Sequence, residues 1–180
     1  MADEPALPPL RPIGVVRTPQ RVHHEAPRQS GLGRGGTGTI ELRQGLQNGL
    51  ADLAGFSHVW VVFWCHLARG FRSRVVPPRD TEKRGVFATR APQRPNPIGL
   101  SCVRLLAVRK RVLTIGDHDI LDGTPVLDLK PYLPYCDSIA DAAVGYVADL
   151  ADGAGDHRVW WQDKGVPPPR IYRQPPRRSD

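Results

Sequence analysis

The residues best suited to chemistry in this sequence lie in one proline-rich loop with Asn96 at its centre. Asn96 stands between Pro95 and Pro97, and Pro92 precedes them closely. Proline fixes its own φ and restricts the residue before it to extended backbone, so Asn96 has little backbone freedom. A loop that only turns a corner uses Gly, Asn and Asp freely. This loop instead holds polar side chains still, as a binding or catalytic site requires.

Two arginines, Arg90 and Arg94, share this loop. Their planar guanidinium groups can bind phosphate or carboxylate through two parallel hydrogen bonds. Residues 69–111 hold twelve Lys and Arg against Asp80 and Glu82, a net of +10 in a chain whose total charge is +7. Such a segment favours a polyanion such as RNA, although solubility alone would also explain the charge. We predict RNA contacts at Arg94, Arg84 and Arg79.

Three further sets of residues can line a site, and each has a plainer explanation. The pair Arg28–Gln29 can bind a carboxylate and a hydrogen-bonding edge, or it can be solvated surface. The tetrapeptide Asp122–Pro125 suits a turn, yet the Asp122 carboxylate can also accept hydrogen bonds from hydroxyl or amine groups. Asp128 and Lys130 are two residues apart on a predicted strand, so they share a face and can pair with each other or line a pocket.

No group of histidines, cysteines and acids has the spacing of a metal site. His58 and His66 lie eight residues apart on one predicted strand, so roughly 26 Å separates them. The cysteines Cys65, Cys102 and Cys136 are far apart and outside any CxxC pattern. We therefore predict no metal, and we predict buried thiols in a reducing compartment, the cytoplasm.

Short β-type segments separated by turns make up most of the sequence up to about residue 150. Seven strands are predicted, at 13–17, 37–42, 58–66, 85–89, 101–108, 112–116 and 125–129, with a short helix at 46–53. The run 58–66 is rich in aromatic and β-branched residues, as a central strand is, and 109–111 predicts a tight hairpin. Because strands and helices do not alternate, the pattern favours a mainly β fold, an antiparallel barrel or sandwich.

The ends of the chain differ from its middle in composition. We predict a mobile N-terminal segment at 1–11, one domain at 12–150, and a linker, a further short strand and a Pro/Arg-rich tail at 151–180. The glycine cluster 31–36 lacks the preceding strand and following helix of a nucleotide-binding loop, which argues against a doubly wound fold. No segment reaches the roughly 20 apolar residues of a membrane helix.

The proline-rich loop resembles the signature of a known family. Arg94–Ser101 is similar to the signature of the TsaA-like proteins, which are S-adenosylmethionine-dependent methyltransferases built on a β-barrel. Other matching stretches follow the same order along residues 13–138, namely Ile13–Pro19, Pro27–Gln29, Gly55–Trp60, Phe63–His66 and Leu121–Tyr135. The resemblance implies a single-domain antiparallel β-barrel of about seven short strands with one or two short helices. It also implies S-adenosyl-L-methionine as cofactor and a homodimer that completes its sites near the subunit interface.

The best-known branch of that family is similar to a tRNA N6-methyltransferase acting on threonylcarbamoyl-adenosine beside the anticodon. The resemblance implies cofactor contacts for residues in the matching stretches, and we add Arg90 and Leu100 at the two edges of the proline-rich loop. The predicted cofactor contacts are Pro27, Arg28, Gln29, Cys65, His66, Arg90, Leu100, Asp122, Gly123, Thr124 and Pro125.

The predicted catalytic residues are Asn96, which orients the acceptor amine, Asp128 and Lys130. Unrelated N6-adenine methyltransferases use an Asn or Asp before a proline to accept a hydrogen bond from the exocyclic amine. That bond favours a pyramidal nitrogen and frees its lone pair for in-line attack on a methyl group. Orientation then lowers the barrier without a strong base. An Asn that merely stabilises a turn is the alternative.

Two other functions remain open from the sequence. One is a non-catalytic RNA-binding barrel, which has no need for all the cofactor motifs together. The other is a methyltransferase for a different acceptor, because the segment 67–84 departs most from the tRNA-type pattern. The chain also looks too short for the C-terminal domain that tRNA-modifying members often carry. The resemblance therefore supports the methyltransferase core better than it supports a particular tRNA.

Overall fold

A computed structural model describes residues 9–23, 25–31, 36–77 and 80–150 of the protein. Within these ranges the chain forms eight strands and one short helix. They are β1 (Gly14–Arg17), β2 (Thr37–Leu42), β3 (His58–Trp64), β4 (Arg74–Val75), β5 (Arg84–Gly85), β6 (Ile98–Arg109), β7 (Val112–Gly116), β8 (Pro125–Pro131) and α1 (Pro134–Asp137). Single 3-10 turns are Gln47–Leu50, Leu53–Gly55, Val86–Ala88 and Gly145–Asp149.

Six of the strands close into an antiparallel barrel in the order β1-β2-β7-β6-β3-β8. The barrel closes because β8 returns to β1, with Gly14 opposite Val126. The remaining strands, β4 and β5, form a separate two-stranded sheet. The predicted mainly β, antiparallel barrel is confirmed, and the tight β6–β7 hairpin has Lys110 at its tip with a φ of 55°.

Apolar side chains fill the barrel interior. Alternate residues of a strand point to opposite faces, so the β-branched runs of the sequence send every second side chain inward. The fully or nearly fully buried core consists of Val16, Ile40, Leu42, Leu50, Val59, Val61, Val103, Leu113, Ile115, Ile120 and Val126. An interior packed in this way leaves no room for a ligand at the centre, so a site must be built at an end of the barrel or on its outer wall.

The two ends of the barrel carry different loops. At end A, three loops connect the strands: 18–36 between β1 and β2, 65–97 between β3 and β6, and 117–124 between β7 and β8. At end B, the segment before β1, the loop 43–57, the β6–β7 hairpin and the segment after β8 come together. This division follows from the antiparallel order alone, because successive strands enter and leave at opposite ends.

The predicted strand at 85–89 is wrong. Only Arg84 and Gly85 pair, with β4, and Val86–Ala88 form a 3-10 turn. The carbonyl of Val86 accepts hydrogen bonds from the backbone N–H and the side-chain hydroxyl of Thr89, at 3.1 and 2.9 Å. A carbonyl used in this local turn is not available to a neighbouring strand, although the segment is apolar enough for one.

Other boundaries also differ from prediction. The predicted helix 46–53 is replaced by two 3-10 turns, because Asp52 between them has a left-handed φ of 63° that a helix cannot contain. Strand β6 starts three residues earlier than predicted, at Ile98, and β3 ends at Trp64, so His66 lies in a loop. The predictions for 1–8 and for 151–180 lie outside the described residues. No helix in the described part of the chain is long and apolar enough to cross a membrane.

Candidate active site

End A gathers most of the residues predicted to form a site. The three loops there, with the first residue of β8, carry Pro27, Arg28, Gln29, Cys65, His66, Arg84, Arg90, Arg94, Asn96, Asp122, Gly123, Thr124 and Pro125. Segments as far apart in sequence as 27–29 and 122–125 thus meet at one end because the barrel is antiparallel.

A hydrogen bond between His66 and Thr124 joins the second loop to the third. The Nδ1 atom of His66 lies 3.3 Å from the hydroxyl of Thr124. Thr124 is buried and His66 is exposed, so the ring covers the third loop and keeps an edge toward solvent. Gly123 has a φ of 73°, and a Cβ there would lie 4.0 Å from Nε2 of the same ring. The His66 ring therefore lies over Gly123 and Thr124.

The turn that begins at Asp122 is tied to the end of β1. The backbone N–H of Thr18 donates to Oδ1 of Asp122 at 3.2 Å. The backbone N–H of Asp122 donates to the carbonyl of Gln20, and that of Gly123 to the carbonyl of Val16, at 2.7 and 2.9 Å. The turn interpretation of this tetrapeptide is thus correct, and the same bonds hold a half-buried carboxylate at end A.

A buried histidine, His118, lies next to Thr18, the residue whose backbone N–H binds Asp122. His118 was not among the predicted residues. Its ring has no exposed surface. The backbone N–H of Ile120 donates to Nδ1 at 3.3 Å, and Nε2 lies 3.4 Å from the hydroxyl of Thr18. Burial lowers the pKa of the His118 ring, which is therefore neutral at pH 7.

A hydrogen bond between Arg90 and Gln29 joins the first loop to the proline-rich loop. Nη1 of Arg90 donates to Oε1 of Gln29 at 2.5 Å. Pro27 and Arg28 precede Gln29 in the first loop. Pro27 is buried, and so are the Nε and Nη2 atoms of Arg28. The structure therefore brings the predicted Pro27–Gln29 contacts and Arg90 together, with a guanidinium group turned into the protein.

Asp119 is a site residue that sequence reasoning missed. The hydroxyl of Ser101 donates to its Oδ1 at 2.6 Å. Burial raises the pKa of the Asp119 carboxyl, whereas hydrogen bonds from Ser101 and from the backbone N–H of Ser30, and the charge of Arg90, oppose that shift. Asp119 therefore links the first loop, β6 and the proline-rich loop. Its position three residues after the end of β7 and three residues before Asp122 was the available signal.

The thiol of Cys65 lies in the field of the same carboxylate. Burial, with a smaller contribution from the charge of Asp119, raises the pKa of Cys65 to about 11 against the opposing charge of Arg94. A thiol with that pKa is protonated at pH 7 and presents an uncharged, weakly nucleophilic sulfur. Cys65 is thus a half-buried, uncharged part of the end A wall, and Cys102 is also half-buried, whereas the prediction of a buried thiol is wrong for Cys136, which is exposed.

Asn96 stays exposed in the loop that the prolines stiffen. The backbone N–H of Cys65 donates to the carbonyl of Pro97, and the N–H of Ile98 donates to the carbonyl of Asn96, both at 2.7 Å. These bonds dock the loop on the end of β3. Among the described residues, none forms a hydrogen bond with the side-chain amide of Asn96, which argues against a turn-stabilising role for that amide.

Two of the three arginines predicted to contact RNA, Arg94 and Arg84, form contacts within the protein. Nη1 of Arg94 lies within hydrogen-bonding distance of the carbonyls of Val86 and Thr89, at 3.0 and 2.8 Å, so this side chain holds the loop in shape. Arg84 forms an ion pair with Asp80, from Nε to Oδ2 at 2.6 Å. That pair holds the pKa of the Asp80 carboxyl below its usual value. Arg79 lies outside the described residues.

Three predicted site residues, Leu100, Asp128 and Lys130, lie away from the loops of end A. Leu100 and Asp128 both pair with Val62 of β3, on the outer wall of the barrel, whereas the flanking Ser101 and Leu129 face the core. Lys130 Nζ and Asp128 Oδ2 are 2.8 Å apart, so the two charges pair as the plainer explanation held. Within one chain these residues do not join the end A contacts.

The described residues contain no group of three or more His, Cys, Asp or Glu able to hold a metal ion. In the part of the chain that the structure describes, the chemistry of end A is that of hydrogen-bonding side chains, carboxyl groups and guanidinium groups.

Several known proteins are similar to this chain. Residues 15–138 match the family described as the tRNA-methyltransferase O N-terminal domain. A probable S-adenosyl-L-methionine-binding protein of Pyrococcus abyssi is 42% identical over 137 residues, which are 76% of this chain and 74% of that protein. The tRNA (adenine(37)-N6)-methyltransferase of Escherichia coli is 41% identical over 144 residues, 74% of this chain and 61% of that protein.

Crystal structures show the same fold. A structure of TrmO from Pseudomonas aeruginosa has a TM-score of 0.68 at 41% identity and covers 81% of this chain and 63% of its own. A second TrmO structure has a TM-score of 0.68 at 42% identity, with 78% of this chain and 64% of its own covered. The chain thus spans less than two thirds of the length of the Escherichia coli relative and of the crystallised chains.

Proposed function

Because this chain belongs to the tRNA-methyltransferase O N-terminal domain family, we propose that it is an S-adenosylmethionine-dependent methyltransferase acting on the exocyclic N6 of an adenosine beside the anticodon of tRNA, with threonylcarbamoyl-adenosine as the acceptor. The observation that carries this proposal is the meeting of three loops at end A. They bring a hydrogen-bonded turn, an arginine with buried Nε and Nη2 atoms, and a stiff Asn-Pro loop to the same end of the barrel, as a methyl-transfer site requires.

The end A residues suit the parts of S-adenosylmethionine. Arg28, whose guanidinium nitrogens are turned inward, fits a carboxylate. The half-buried carboxylate of Asp122 fits a ribose diol or an amine, and Gln29 fits a polar edge of adenine. Pro27, His66 and the Gly123–Pro125 segment complete the wall. When bound, the cofactor supplies a methyl group activated on a sulfonium.

Cys65 contributes by staying neutral. A thiolate beside an activated methyl group would compete with the acceptor, because the thiolate is the nucleophilic form of cysteine. Burial and the Asp119 charge raise the pKa of Cys65 to about 11, so less than about one thiol in a thousand is ionised at pH 7. The site therefore tolerates a cysteine in its wall.

Asn96 orients the acceptor. Its side-chain oxygen accepts a hydrogen bond from the exocyclic amine, which turns the nitrogen lone pair toward the methyl group. Pro95 and Pro97 keep the residue in one conformation, so little conformational entropy is lost when the acceptor binds. After transfer the nitrogen carries a positive charge and loses its proton readily, so no strong general base is needed.

A second copy of the chain gives Leu100, Asp128 and Lys130 a role. Leu100 is 54% exposed and Ile98 is 39% exposed on the outer wall of β6, beside Val62 and Trp64 of β3. We propose a homodimer that covers this outer wall, so that the three residues reach the end A site of the partner. In this proposal Arg84, Arg94 and Arg79 contribute to the electrostatic attraction of tRNA, and the enzyme acts in the cytoplasm, where tRNA is modified.

Nucleoside analysis tests the proposal directly. Purified protein is incubated with tRNA and cofactor carrying a labelled methyl group, and the digested nucleosides are measured by mass spectrometry. One labelled methyl on N6 of the threonylcarbamoyl-adenosine is the expected product. A labelled methyl on another nucleoside would favour a different acceptor. Cofactor-independent tRNA binding with no methyl transfer would favour the RNA-binding barrel.

A further inference from the structure

End B carries a cluster of positive charge that the proposed reaction does not use. Five basic side chains are exposed there: Arg11, Arg43, Arg109, Lys110 and Arg111. They come from three separate parts of the sequence, the segment before β1, the end of β2 and the tip of the β6–β7 hairpin. The sequence does not show that these three segments form one group, because only the barrel brings them together.

Backbone contacts show that the cluster is a single surface. The backbone N–H of Leu42 donates to the carbonyl of Arg111, and the N–H of Arg43 donates to the carbonyl of Ile13, at 2.9 and 2.8 Å. Nη1 of Arg111 donates to the carbonyl of Leu42 at 2.7 Å. A shallow groove between these segments is lined by Pro12, Gly14, Val15, Glu41, Leu42, Arg43 and Arg111.

Little negative charge opposes this surface. Glu41 lies in the groove, but its carboxylate is 4.0 Å from the guanidinium of Arg17. Asp52 is the other acidic residue in the described segment before β1, the loop 43–57 and the β6–β7 hairpin. In the acidic segment after β8, Asp137 accepts a hydrogen bond from Trp60 of β3 at 2.9 Å, so this carboxylate is held against β3. The described basic residues of the cluster flank β1, β2, β6 and β7 instead.

The basic cluster of end B lies far from the candidate site at end A. Ser101 at end A and Arg109 at end B lie on one strand, eight residues and roughly 26 Å apart. A nucleoside or a short RNA loop held at end A does not extend that far, whereas a folded RNA does. The guanidinium and ammonium groups suit phosphate oxygens, and five of them on one surface suit a polyanion better than a single anion.

We propose that the basic cluster of end B is a second RNA-binding surface, which contacts the phosphate backbone of the tRNA at a distance from the methylated nucleoside. The inference rests on the proposed function, because it takes the RNA to be held at end A. Its consequence is that full-length tRNA binds through both ends of the barrel, and a short stem-loop through end A alone.

The test compares two substrates and two variants. The variant Arg109→Gln/Lys110→Asn removes two charges from the hairpin tip, and Asn tolerates the left-handed φ of position 110. The control Arg104→Gln removes a charge from the same strand, at a side chain 3.9 Å from Asp117 and away from the tip. Methyl transfer is measured on full-length tRNA and on a stem-loop that carries the same acceptor nucleoside.

The double variant should raise KM for full-length tRNA several-fold and leave kcat unchanged. KM for the stem-loop should equal that of the wild-type protein. The slope of log affinity for tRNA against log salt should become shallower by about two, since each lost phosphate contact contributes about one. The control should change neither KM. Equal KM and equal salt slope for wild type and double variant would overturn the inference, as would an equal loss on both substrates.

Direct binding separates this inference from the proposed function. If the wild-type protein methylates neither substrate, the proposed reaction is wrong, and the surface is then judged by filter binding of tRNA alone. A weaker and less salt-dependent affinity in the double variant supports the surface even then. Unchanged tRNA affinity refutes it whatever the catalytic result.

Discussion

The surroundings of Asn96 indicate the role of its side-chain amide. Its two flanking prolines restrict the backbone, and its exposed amide has no hydrogen-bond partner among the described residues. A turn-stabilising Asn would use that amide to hold the loop, but backbone bonds from Cys65 and Ile98 do so here. The amide is therefore available to a bound acceptor.

Asn96→Ala should lower the rate of methyl transfer by about a hundredfold, because one positioned hydrogen bond to a reacting group is worth a few kcal/mol. Asn96→Asp should keep part of the rate, since an acceptor oxygen remains. Single-turnover assays with calorimetry of cofactor binding and thermal melts distinguish the roles. Gln93→Ala in the same loop is the control. A normal single-turnover rate in Asn96→Ala would end the catalytic assignment.

Asp119 should make stability depend on pH in an unusual direction. Because burial raises the pKa of its carboxyl, the folded protein binds this proton more tightly than the unfolded chain does. Its contribution is full below about pH 4 and is lost as pH rises through the folded-state pKa. Asp119→Asn should therefore gain stability relative to wild type between pH 4 and pH 7, while methyl transfer falls because the first loop loses an anchor.

Urea unfolding at several pH values measures this difference, with the exposed Asp141→Asn as control. A stability difference that shrinks as pH rises would mean that Arg90 and Ser30 stabilise the ionised carboxylate more than burial disfavours it.

At the scale of elements, the end A loops are shaped by arginine and histidine side chains. Arg94 reaches back to backbone carbonyls within its own loop, and the ring of His118 fills the space between the ends of β1 and β2. Arginines selected from the sequence as RNA contacts are thus partly structural. An arginine in a loop can donate hydrogen bonds to backbone carbonyls of that loop or to a ligand. The spacing of arginines in the sequence does not distinguish these two roles.

Gly38→Ala tests how closely β2 packs on His118. A Cβ at position 38 would lie 2.7 Å from Nε2 of His118 and 3.1 Å from the carbonyl of Arg17, so either the buried ring or the strand must move. Overpacking of this kind costs about 1–3 kcal/mol of unfolding free energy. Gly49→Ala, with nothing within 4 Å of its Cβ, is the matched control. Equal melting temperatures for the two variants would contradict the packing described here.

At the scale of the whole molecule, the outer wall of β6 and β3 is the surface best suited to a second copy. Leu100→Asp places a charge at its centre and should convert a dimer to a monomer in analytical ultracentrifugation. Methyl transfer should fall with it, because Asp128 and Lys130 would no longer reach a partner site. Leu46→Asp, at an exposed apolar side chain of end B, should leave assembly unchanged. A wild-type protein that sediments as a monomer would refute the dimer.

The sequence alone determined the fold class and the stiffness of the Asn96 loop, because both follow from local properties of the chain. Alternating β-branched residues predict strands wherever they occur, and the proline-rich loop restricts Asn96 whatever surrounds it. Local pattern was insufficient at 85–89, where an apolar run folds into a 3-10 turn once Thr89 takes the carbonyl of Val86.

Only the tertiary structure decided which residues meet. Closure of the barrel brings Ser30, Ser101 and Asp119 together at end A and gathers the basic residues of end B from three distant segments. It also places Leu100, Asp128 and Lys130 on the outer wall, away from the site to which they were assigned. The physical reason is that charge pairing and burial depend on neighbours across strands, and strand order cannot be read from the periodicity of any one strand.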